Sequence, residues 1–327
     1  MTKLIIQIPC YNEAETLPVT LATLPRSLPE VDEIEWLVID DGSEDGTASV
    51  AREHGADHVV RLPRNQGLSK AFVAGLDASL AAGADIIVNT DADNQYMASD
   101  IPRLVAPILA GEAEIVIGER PIAGTAHFSP LKKLLQRIGS WVVRRVSGTA
   151  VRDAPSGFRA MSRQAAMQLH VFNEYSYTLE TIIQAGRKGM AIVSVPIGTN
   201  EELRPSRLFA SLPDYIVRQF LIIFRIFVTY NPFIFFAVPG AISFGLGFLI
   251  GLRFLIDYMA TGGLGHIQSL ILAALLMGAG SMLIVVGLLA DLISVNRKLL
   301  EALDWRLHRI EDRLGEESRE NRLERIL

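Results

Sequence analysis

The sequence is poor in cysteine, because Cys10 is the only one among 327 residues. A disulfide within the chain and a cysteine-based zinc site are therefore excluded. Positive charge is also in deficit, since 31 Lys and Arg oppose 36 Asp and Glu for a formal net charge of −5. This acidic balance argues against a general nucleic-acid-binding protein, and we expect no nucleic-acid partner.

Common nucleotide- and calcium-binding motifs are missing as well. The sequence has no GxxxxGK[ST], and no GxGxxG follows the first apolar run, which excludes a P-loop and a dinucleotide fingerprint. The stretch Asp41–Gly46 begins like a calcium-binding EF-hand loop, but Arg52 stands where such a loop needs a bidentate Glu. The apolar run that stops at Pro9 is too short for a signal peptide, so we expect the N-terminal part to stay in the cytoplasm.

Two long apolar runs are typical of membrane spans. Pro232–Ile256 has 25 residues and Ile267–Val295 has 29, each with a single charge. Both exceed the roughly 20 residues that a bilayer crossing requires. The alternative, a pair of buried core helices, is disfavoured because soluble helices of this length carry a polar face. Gly247 and Gly251 form a GxxxG pair in the first run, a candidate surface for close helix packing.

Charges around these runs predict their orientation. The connection Asp257–His266 contains no Lys or Arg, whereas both flanks do. The positive-inside rule then predicts that residues 232–295 form a transmembrane hairpin in the cell inner (plasma) membrane, with the N-terminal domain and both termini cytoplasmic. Residues 208–231 mix aromatic and basic side chains, which predicts amphipathic helices on the membrane surface. Residues 296–327 predict a charged C-terminal helix with a short heptad run, either a self-association helix of a homo-oligomer or a solvated tail; the run is Leu303, Leu307, Ile310 and Leu314.

Residues 1–207 have the pattern of an α/β domain. Continuously apolar runs predict strands at Leu4–Pro9, Glu35–Asp40, His58–Leu62, Asp85–Thr90 and Glu114–Gly118. Helical patterns lie between them at Glu13–Arg26, Asp45–His54, Leu68–Ala82 and Asp100–Ala110. Continuous apolarity indicates strands covered on both faces, and the alternation predicts a Rossmann-like, mostly parallel sheet. Ligands bind such sheets beyond the carboxyl ends of the strands, where Asp40-Asp41 and Asp91-Ala92-Asp93 fall.

Five short motifs follow one another in this domain. They are Pro9-x-Tyr-Asn-Glu13, Asp40-Asp-Gly-Ser-x-Asp-Gly-Thr47, Asn65-x-Gly-Leu68, Asp91-x-Asp93-x-Gln95 and Ser156-Gly-Phe-Arg159. Together they resemble family 2 glycosyltransferases with a GT-A fold, more closely the dolichyl-phosphate mannose synthase group and its bacterial polyprenyl-phosphate relatives. The resemblance covers roughly residues 3–207, and a two-span tail is typical of the bacterial members. The sequence departs from many relatives at Glu119, where they have Ser before the arginine, and it lacks the Gln-x-x-Arg-Trp signature of processive synthases.

The resemblance implies a membrane enzyme. It implies inverting, metal-dependent transfer of a sugar from a GDP- or UDP-linked donor to a polyprenyl (undecaprenyl or dolichyl) phosphate, giving a lipid-linked monosaccharide for cell-envelope or protein glycosylation. A glycosyltransferase that acts on a glycolipid or glycan hydroxyl is the enzymatic alternative. A non-catalytic membrane scaffold is the alternative of another class, disfavoured because the motif carboxylates and arginines are intact.

The candidate donor and metal residues come from the first, second and fourth motifs. Asp91, Asp93 and Gln95 offer the hard oxygen ligands that suit Mg²⁺ or Mn²⁺. The resemblance assigns the metal to Asp93 and Gln95 and places Asp91 at the ribose or the metal. It also assigns the nucleotide base and ribose to Pro9, Tyr11, Glu13 and Asp40, and the donor phosphates to Arg204 and Arg207. The Asp40-Asp41 pair has turn formation as its alternative role, and Arg204 and Arg207 have membrane anchoring.

Basic residues are concentrated between Arg120 and Arg163, where nine Lys or Arg and one acid give a local charge of +8. Among apolar neighbours, this pattern suits an anionic membrane surface or a lipid phosphate, with a solvated cationic face as the alternative; the candidate acceptor or membrane residues are Lys132, Lys133, Arg137, Arg144 and Arg145. Arg120 and Arg159 are the candidates for direct phosphate contact, because guanidinium binds phosphate bidentately.

The acceptor decides whether a general base is needed. A lipid phosphate has a second pKa near ~6, so it is already a nucleophile at neutral pH. A sugar hydroxyl would require a carboxylate base. Asp153 is the candidate for a base or an organiser of the acceptor site, and a structural partner of Arg152 or Arg159 is the alternative.

Overall fold

The computed structural model describes residues 1–121, 139–141, 143–169, 171, 177–200, 224–225, 228, 231–261 and 267–324, with side chains omitted at 261, 297–298, 301–302 and 304–324. The chain divides into two compact units, one of Met1–Ile223 with Glu311–Leu327 and one of Phe224–Ile310. The finer four-part division expected from the sequence stays a prediction.

The first unit is built on a mixed sheet. Its strands, within the described residues, are β1 (Lys3–Cys10), β2 (Glu33–Asp40), β3 (His58–Arg61), β4 (Ile86–Asn89), β5 (Ile115–Glu119), β6 (Arg159–Ser162) and β7 (Ile192–Pro196). Their order across the sheet is β3-β2-β1-β4-β6-β5-β7. Neighbouring strands run parallel, except that β6 is antiparallel to both β4 and β5. The prediction of a Rossmann-like, mostly parallel sheet is therefore confirmed.

Helices connect these strands. Those of the first unit are α1 (Leu17–Thr23), α2 (Thr47–Glu53), α3 (Leu68–Ala81), α4 (Ile101–Leu109), α5 (Arg163–Gln168) and α6 (Tyr177–Arg187), and a short 3₁₀ turn covers Ala98–Asp100. The second unit contains α7 (Pro232–Thr261) and residues 267–310 of α8 (Ile267–Glu324).

The apolar strand sequences follow from burial on both faces of the sheet. In the central strand β1, every residue from Leu4 to Cys10 is buried, including side chains that point to opposite faces. Burying one large aliphatic side chain stabilises the fold by about 1.5–3 kcal/mol, so a strand covered on both sides gains most from an unbroken apolar run. The five strands predicted from such runs are all present, with ends shifted by no more than two residues.

The first helix begins four residues later than the sequence predicts. The predicted helix started at Glu13, whereas α1 starts at Leu17. Asn12 has φ of 54°, and its side-chain oxygen accepts a hydrogen bond from the Glu44 N–H at 3.0 Å. Residues 12–16 are therefore not part of the helix. They belong to a loop that is hydrogen-bonded to the loop after β2.

The second unit is a pair of long apolar helices that pack through small residues. A Cβ atom added to Gly280 of α8 would lie 2.6 Å from the carbonyl oxygen of Gly240 in α7, so the two backbones touch there. Gly247 meets the Ala273 carbonyl in the same way at 2.8 Å. Gly251, the predicted partner of Gly247 in a GxxxG pair, has only an ordinary contact of 3.8 Å, so the packing face repeats every seven residues instead.

Length and exposure of these helices fit a lipid environment. The apolar parts, Pro232–Ala260 and Ile267–Asn296, are long enough to cross a membrane. Large apolar side chains on both helices are exposed, among them Leu249 at 61% and Ile293 at 69%. Core helices of a soluble domain would bury such side chains, so the alternative of two buried core helices does not hold for this unit.

Candidate functional site

Two loops at the carboxyl ends of β1 and β2 are bonded to each other. The Asn12 N–H donates to Ser43 Oγ at 2.9 Å. The Glu13 N–H donates to Thr47 Oγ1 at 2.9 Å. Because β1 and β2 are adjacent and parallel, both loops leave the sheet at the same edge, and these bonds hold the first and second motifs together.

Four of the predicted donor residues lie in these loops or at the strand ends. Pro9 pairs with Ile39 in the sheet, one step before Asp40. Glu13 and Asp40 are buried, whereas Tyr11 exposes 42% of its surface. The structure thus brings Pro9, Tyr11, Glu13 and Asp40 to one end of the sheet, with one aromatic ring left for a flat ligand to contact.

The two adjacent acids at the end of β2 have different partners. Asp41 accepts hydrogen bonds from the Gln66 and Gly67 N–H groups at 2.8 Å each. Both carboxylate oxygens of Asp41 therefore hold the loop before α3. Asp40 Oδ1 accepts from the Ser43 N–H at 2.9 Å, and its Oδ2 accepts no hydrogen bond among the described residues, although Arg61 Nε lies 3.3 Å away. Asp40 thus keeps an oxygen for a ligand N–H.

The fourth motif forms a tight turn directly after β4. Asp93 Oδ1 accepts from the Gln95 N–H at 3.1 Å, and Asn94 has φ of 56°, a conformation that Asn tolerates better than most residues. Thr20 of α1 donates its hydroxyl to the Ala92 carbonyl at 2.8 Å and anchors the middle of the turn. Asp91, Asp93 and Gln95 are therefore held together beside the donor loops, partly exposed.

The charges of this turn fit a divalent cation. Burial, together with repulsion from Asp93, raises the pKa of Asp91 to about 7. A carboxylate with this cost of ionisation is stabilised by a nearby cation. No group of three or more His, Cys, Asp or Glu converges in the described part of the chain. The protein would therefore supply two carboxylates and an amide oxygen, and leave positions for phosphate oxygens, as Mg²⁺ sites commonly do.

Arg120 and Asp153 form a buried ion pair next to this turn. Arg120 Nε donates to Asp153 Oδ2 at 2.7 Å and Nη2 donates to Oδ1 at 3.0 Å, while the Arg120 N–H adds a bond of 3.2 Å. Asp153 is fully buried and the Arg120 side chain is 15% exposed. Asp153 thus pairs with Arg120, a partner that the sequence interpretation did not name.

The pair leaves part of Arg120 available. Its guanidinium Nη1 has no hydrogen-bond partner among the described residues. Burial alone would lower the pKa of Arg120, but Tyr96 and the bonds with Asp153 raise it above the usual value, so the charge is kept. The charge also acts on the metal turn, because Arg120 lowers the pKa of Asp91 against the effect of burial.

Arg159 is held inside the protein. Its Nη1 donates to the Thr178 carbonyl at 3.2 Å and to Thr181 Oγ1 at 2.7 Å, and its Nη2 donates to the Ser156 carbonyl. With 1% of its surface exposed, the guanidinium fastens the loop of residues 153–158 (the 153–158 loop) to α6. The sequence predicts that Arg159 contacts a phosphate directly. In this structure its guanidinium contacts protein oxygens instead.

The basic acceptor candidates are only partly described. Lys132, Lys133 and Arg137 lie outside the described residues, as do Arg204 and Arg207 of the donor set. Residues 139–141 and 143–147 are helical; Val143 is buried and Arg144 half-buried, whereas Trp141 and Arg145 are exposed. Trp141 exposes 59% of its surface, so this segment presents an aromatic ring and the positive charge of Arg145 to its surroundings.

Comparison with known proteins agrees with this geometry. Residues 5–169 match the family described as Glycosyl transferase family 2. The chain belongs to this family. As a family 2 glycosyltransferase it has a catalytic domain, and the prediction of an enzyme of this class is confirmed.

Two curated relatives share about a third of the aligned sequence. The undecaprenyl-phosphate mannosyltransferase of Micrococcus luteus is 33% identical over 200 residues, which cover 58% of this chain and 80% of that one. The polyprenol monophosphomannose synthase of Mycolicibacterium smegmatis is 32% identical over 219 residues, covering 63% and 81%. These sequence identities confirm the resemblance to polyprenyl-phosphate mannose synthases.

Solved structures share the fold. Glucosyl-3-phosphoglycerate synthase from Mycobacterium tuberculosis, in complex with Mn²⁺, uridine diphosphate and glucosyl-3-phosphoglycerate, gives a TM-score of 0.55 at 21% identity, covering 70% of this chain and 80% of that one. The same enzyme in complex with Mg²⁺ and uridine diphosphate gives 0.52 at 23% identity, covering 68% and 79%. These likenesses support the GT-A architecture of the family 2 domain.

Sequence reasoning missed three residues of this family 2 site. Asn89 ends β4 with its side chain buried, Tyr96 follows the metal turn, and Thr20 reaches the turn from α1. The only signal in the sequence was polarity at positions expected to be apolar, such as Asn89 at the end of an Ile-Ile-Val run. The partners of these residues lie 61–88 residues away in sequence, so the contacts could not be predicted without the fold.

Proposed function

We propose that this glycosyltransferase moves a sugar from a GDP- or UDP-linked donor to a polyprenyl phosphate, with inversion at the anomeric carbon. The observation that carries the proposal is the Arg120–Asp153 pair beside the Asp91–Gln95 turn. It provides a fixed cation for an acceptor phosphate next to two carboxylates that suit a metal-bound donor. The two curated relatives named for polyprenyl-phosphate mannose transfer support the same acceptor.

On the donor side, Asp91, Asp93 and Gln95 would hold Mg²⁺ or Mn²⁺. When bound, such an ion neutralises the charge that develops on the departing nucleoside diphosphate. Asp40 would accept from a base N–H or a ribose hydroxyl, and Tyr11 would contact the nucleotide from the exposed side. Bound Mn²⁺ or Mg²⁺ with uridine diphosphate in the structures of the M. tuberculosis enzyme supports this division of roles.

On the acceptor side, the pairing of Asp153 favours a phosphate over a hydroxyl. Both oxygens of this carboxylate already accept hydrogen bonds from a guanidinium, so Asp153 is poorly placed to take a proton from a sugar hydroxyl. A dianionic phosphate needs no proton acceptor, only orientation and charge stabilisation. Arg120 Nη1 is the donor left for that contact, and Asp153 keeps the guanidinium in place.

The membrane would present this acceptor from its cytoplasmic face. The two long apolar helices would cross the bilayer, with the Lys- and Arg-free connection outside. The exposed Trp141 and Arg145 would lie at the interface between lipid headgroups and water, where aromatic and basic side chains are enriched. Orientation is tested with Gly262→Cys in a Cys10→Ser background. Labelling of intact cells by an impermeant thiol reagent is expected, and labelling only after lysis would contradict the orientation.

The acceptor experiment decides between the two enzymatic alternatives. The purified full chain is given Mn²⁺, a panel of GDP- and UDP-sugars, and one of three acceptors: polyprenyl phosphate, the dephosphorylated polyprenol, or a sugar-terminated glycolipid. We expect transfer only to the phosphate. Equal transfer to the hydroxyl acceptors would replace the proposal with a glycan or glycolipid transferase. Metal-dependent nucleotide binding without transfer to any acceptor would favour the scaffold alternative.

A further inference from the structure

The metal turn is flanked by two buried residues that bind the same glycine. Asn89, just before the turn, donates from Nδ2 to the Gly157 carbonyl at 2.9 Å. Tyr96, just after the turn, accepts from the Gly157 N–H at 3.0 Å. One residue of the 153–158 loop is therefore bonded through both of its backbone groups to the two ends of the turn that carries Asp91 and Asp93.

The side chains that make these two contacts are each held in one orientation. Asn89 Oδ1 accepts from Gln7 Nε2 at 2.9 Å, and Nδ2 also donates to the Tyr177 hydroxyl at 3.0 Å. A reversed amide would set Oδ1 against the Gly157 carbonyl, so the amide orientation is fixed. The Tyr96 ring is fixed by stacking on Phe158, with ring centroids 5.0 Å apart.

Burying these polar side chains costs free energy. Gln7 and Asn89 are fully buried in neighbouring strands of the sheet, and Tyr96 is 4% exposed. Polar groups in such positions stabilise a fold less than apolar ones unless they are satisfied, and they specify one arrangement when they are. A fold that only needed stability would fill the end of β4 with another aliphatic residue.

Gly157 lies directly against the metal turn. A Cβ atom on Gly157 would stand 3.1 Å from Asp91 Oδ1 and 3.0 Å from the Tyr177 hydroxyl, tighter than ordinary contacts. The backbone of Gly157 therefore limits the space around the Asp91 carboxylate. The same loop begins at Asp153, which holds Arg120, so its position relates the metal carboxylate to the phosphate-binding arginine.

We propose that Asn89 and Tyr96 are positioning residues that fix the 153–158 loop against Asp91, and so set the spacing between the metal turn and Arg120 during sugar transfer. The proposal rests on the proposed function, because it takes the Asp91–Gln95 turn as the donor-metal site. Neither residue needs to touch a substrate. Their effect is transmitted through the backbone of Gly157.

The test compares two variants that each remove one buried hydroxyl. Tyr96→Phe removes the acceptor of the Gly157 N–H and keeps the stack on Phe158. Tyr177→Phe is the matched control: it removes the second acceptor of Asn89 Nδ2 but keeps the stack on Phe72, with centroids 3.9 Å apart, and leaves both backbone bonds of Gly157 intact. Each variant is measured for thermal unfolding, for Mn²⁺-dependent binding of GDP and UDP, and for kcat and KM of transfer to polyprenyl phosphate.

We expect both variants to lose similar stability, and only Tyr96→Phe to lose about tenfold or more in kcat, since small misplacements of reacting groups have large effects on rate. Metal-dependent nucleotide binding should weaken less than kcat, because the ligands themselves remain. Equal kcat in the two variants would overturn the proposal. If Tyr96→Phe does not fold, Gly157→Ala replaces it. That variant presses on Asp91 and should weaken Mn²⁺-dependent nucleotide binding, and wild-type binding there would also overturn the proposal.

The same measurements separate this proposal from the proposed function. An inactive wild-type chain that binds neither nucleotide with Mn²⁺ would refute the function, and the positioning role with it. An active wild type whose Tyr96→Phe variant matches Tyr177→Phe would refute the positioning role alone.

Discussion

Asp153→Asn keeps the shape of the side chain but removes the negative charge that faces Arg120. The wild-type pair is bidentate, at 2.7 and 3.0 Å, and Asp153 is fully buried. Removing one partner of a buried pair costs about 3–5 kcal/mol, because the remaining charge is left uncompensated. Arg120 keeps some exposure to solvent, so we expect a loss near ~3 kcal/mol. For a unit of this size, that lowers Tm by roughly 6–12 °C.

The effect on catalysis should be smaller than that of losing a general base. The asparagine oxygen can still accept one hydrogen bond from Arg120, and a phosphate acceptor needs no proton removal. We expect the rate of transfer to polyprenyl phosphate to fall about tenfold, well short of the 10²–10⁴-fold that general-base catalysis typically contributes. Mn²⁺-dependent nucleotide binding should stay close to that of the wild type.

The assay pairs thermal unfolding with radiolabelled sugar transfer, and Asp57→Asn is the control. Asp57 pairs with Arg26 at the surface, where the two side chains are 36% and 42% exposed, so its loss should cost no more than about 1 kcal/mol. An Asp153→Asn protein as stable as the wild type would refute the energetic reasoning. A protein that binds nucleotide normally but has lost all transfer would instead make Asp153 a catalytic base.

Three further predictions concern the metal turn and the apolar helices. Asp93→Ala should keep the fold and lose about a thousandfold or more in transfer rate, because leaving-group stabilisation by a metal is worth several kcal/mol; full activity in excess chelator would contradict this. Since the pKa of Asp91 is raised to about 7, protons compete with a metal below that pH, so Mn²⁺ affinity measured by calorimetry should be weaker near pH ~6 than near pH ~8. The stability of the metal-free protein should change with pH in the opposite direction. The raised pKa means that protonated Asp91 favours the folded state, and this contribution to the free energy of unfolding is lost as pH rises through about 7. Gly280→Leu should lower thermal stability in detergent by forcing the helices apart, whereas Gly278→Leu, where a Cβ meets nothing within 4 Å, should not.

Much of the fold could be predicted because strands that are buried on both faces are rich in apolar residues. β1, β2 and β4 consist mainly of apolar residues, and their bounds were expected to within two residues. β6 and β7 were not predicted. The four residues of β6 begin with a charged arginine, and β7 is half-exposed with a serine at its centre, so neither has an apolar run long enough to stand out.

The candidate site was predictable in its residues but less so in their roles. Asp91 and Asp93 follow a predicted strand, and they lie where that pattern placed them. Asp41 looked identical to Asp40 in the sequence, yet it holds a loop 25 residues further along. Arg120 and Asp153 are 33 residues apart, and nothing in their local sequences indicates that they pair. Partner choice depends on the fold, which brings distant loops to the same edge of the sheet.

Because β6 runs against its neighbours, two separate parts of the chain meet at one edge of the sheet: the loops after β1, β2 and β4, and the 153–158 loop before β6. The donor residues lie after β1, β2 and β4, in loops bonded to one another and to helices, where an insertion would disturb several contacts at once. Because β6 is antiparallel to β4 and β5, it begins at the edge where those strands end, and the described residues between Glu119 and Arg159 add no strand to the sheet. Under the proposed function, the loops after β1, β2 and β4 bind the donor, and the stretch that precedes the 153–158 loop binds the acceptor. Acceptor preference could then change without any change in the strands that carry the donor residues.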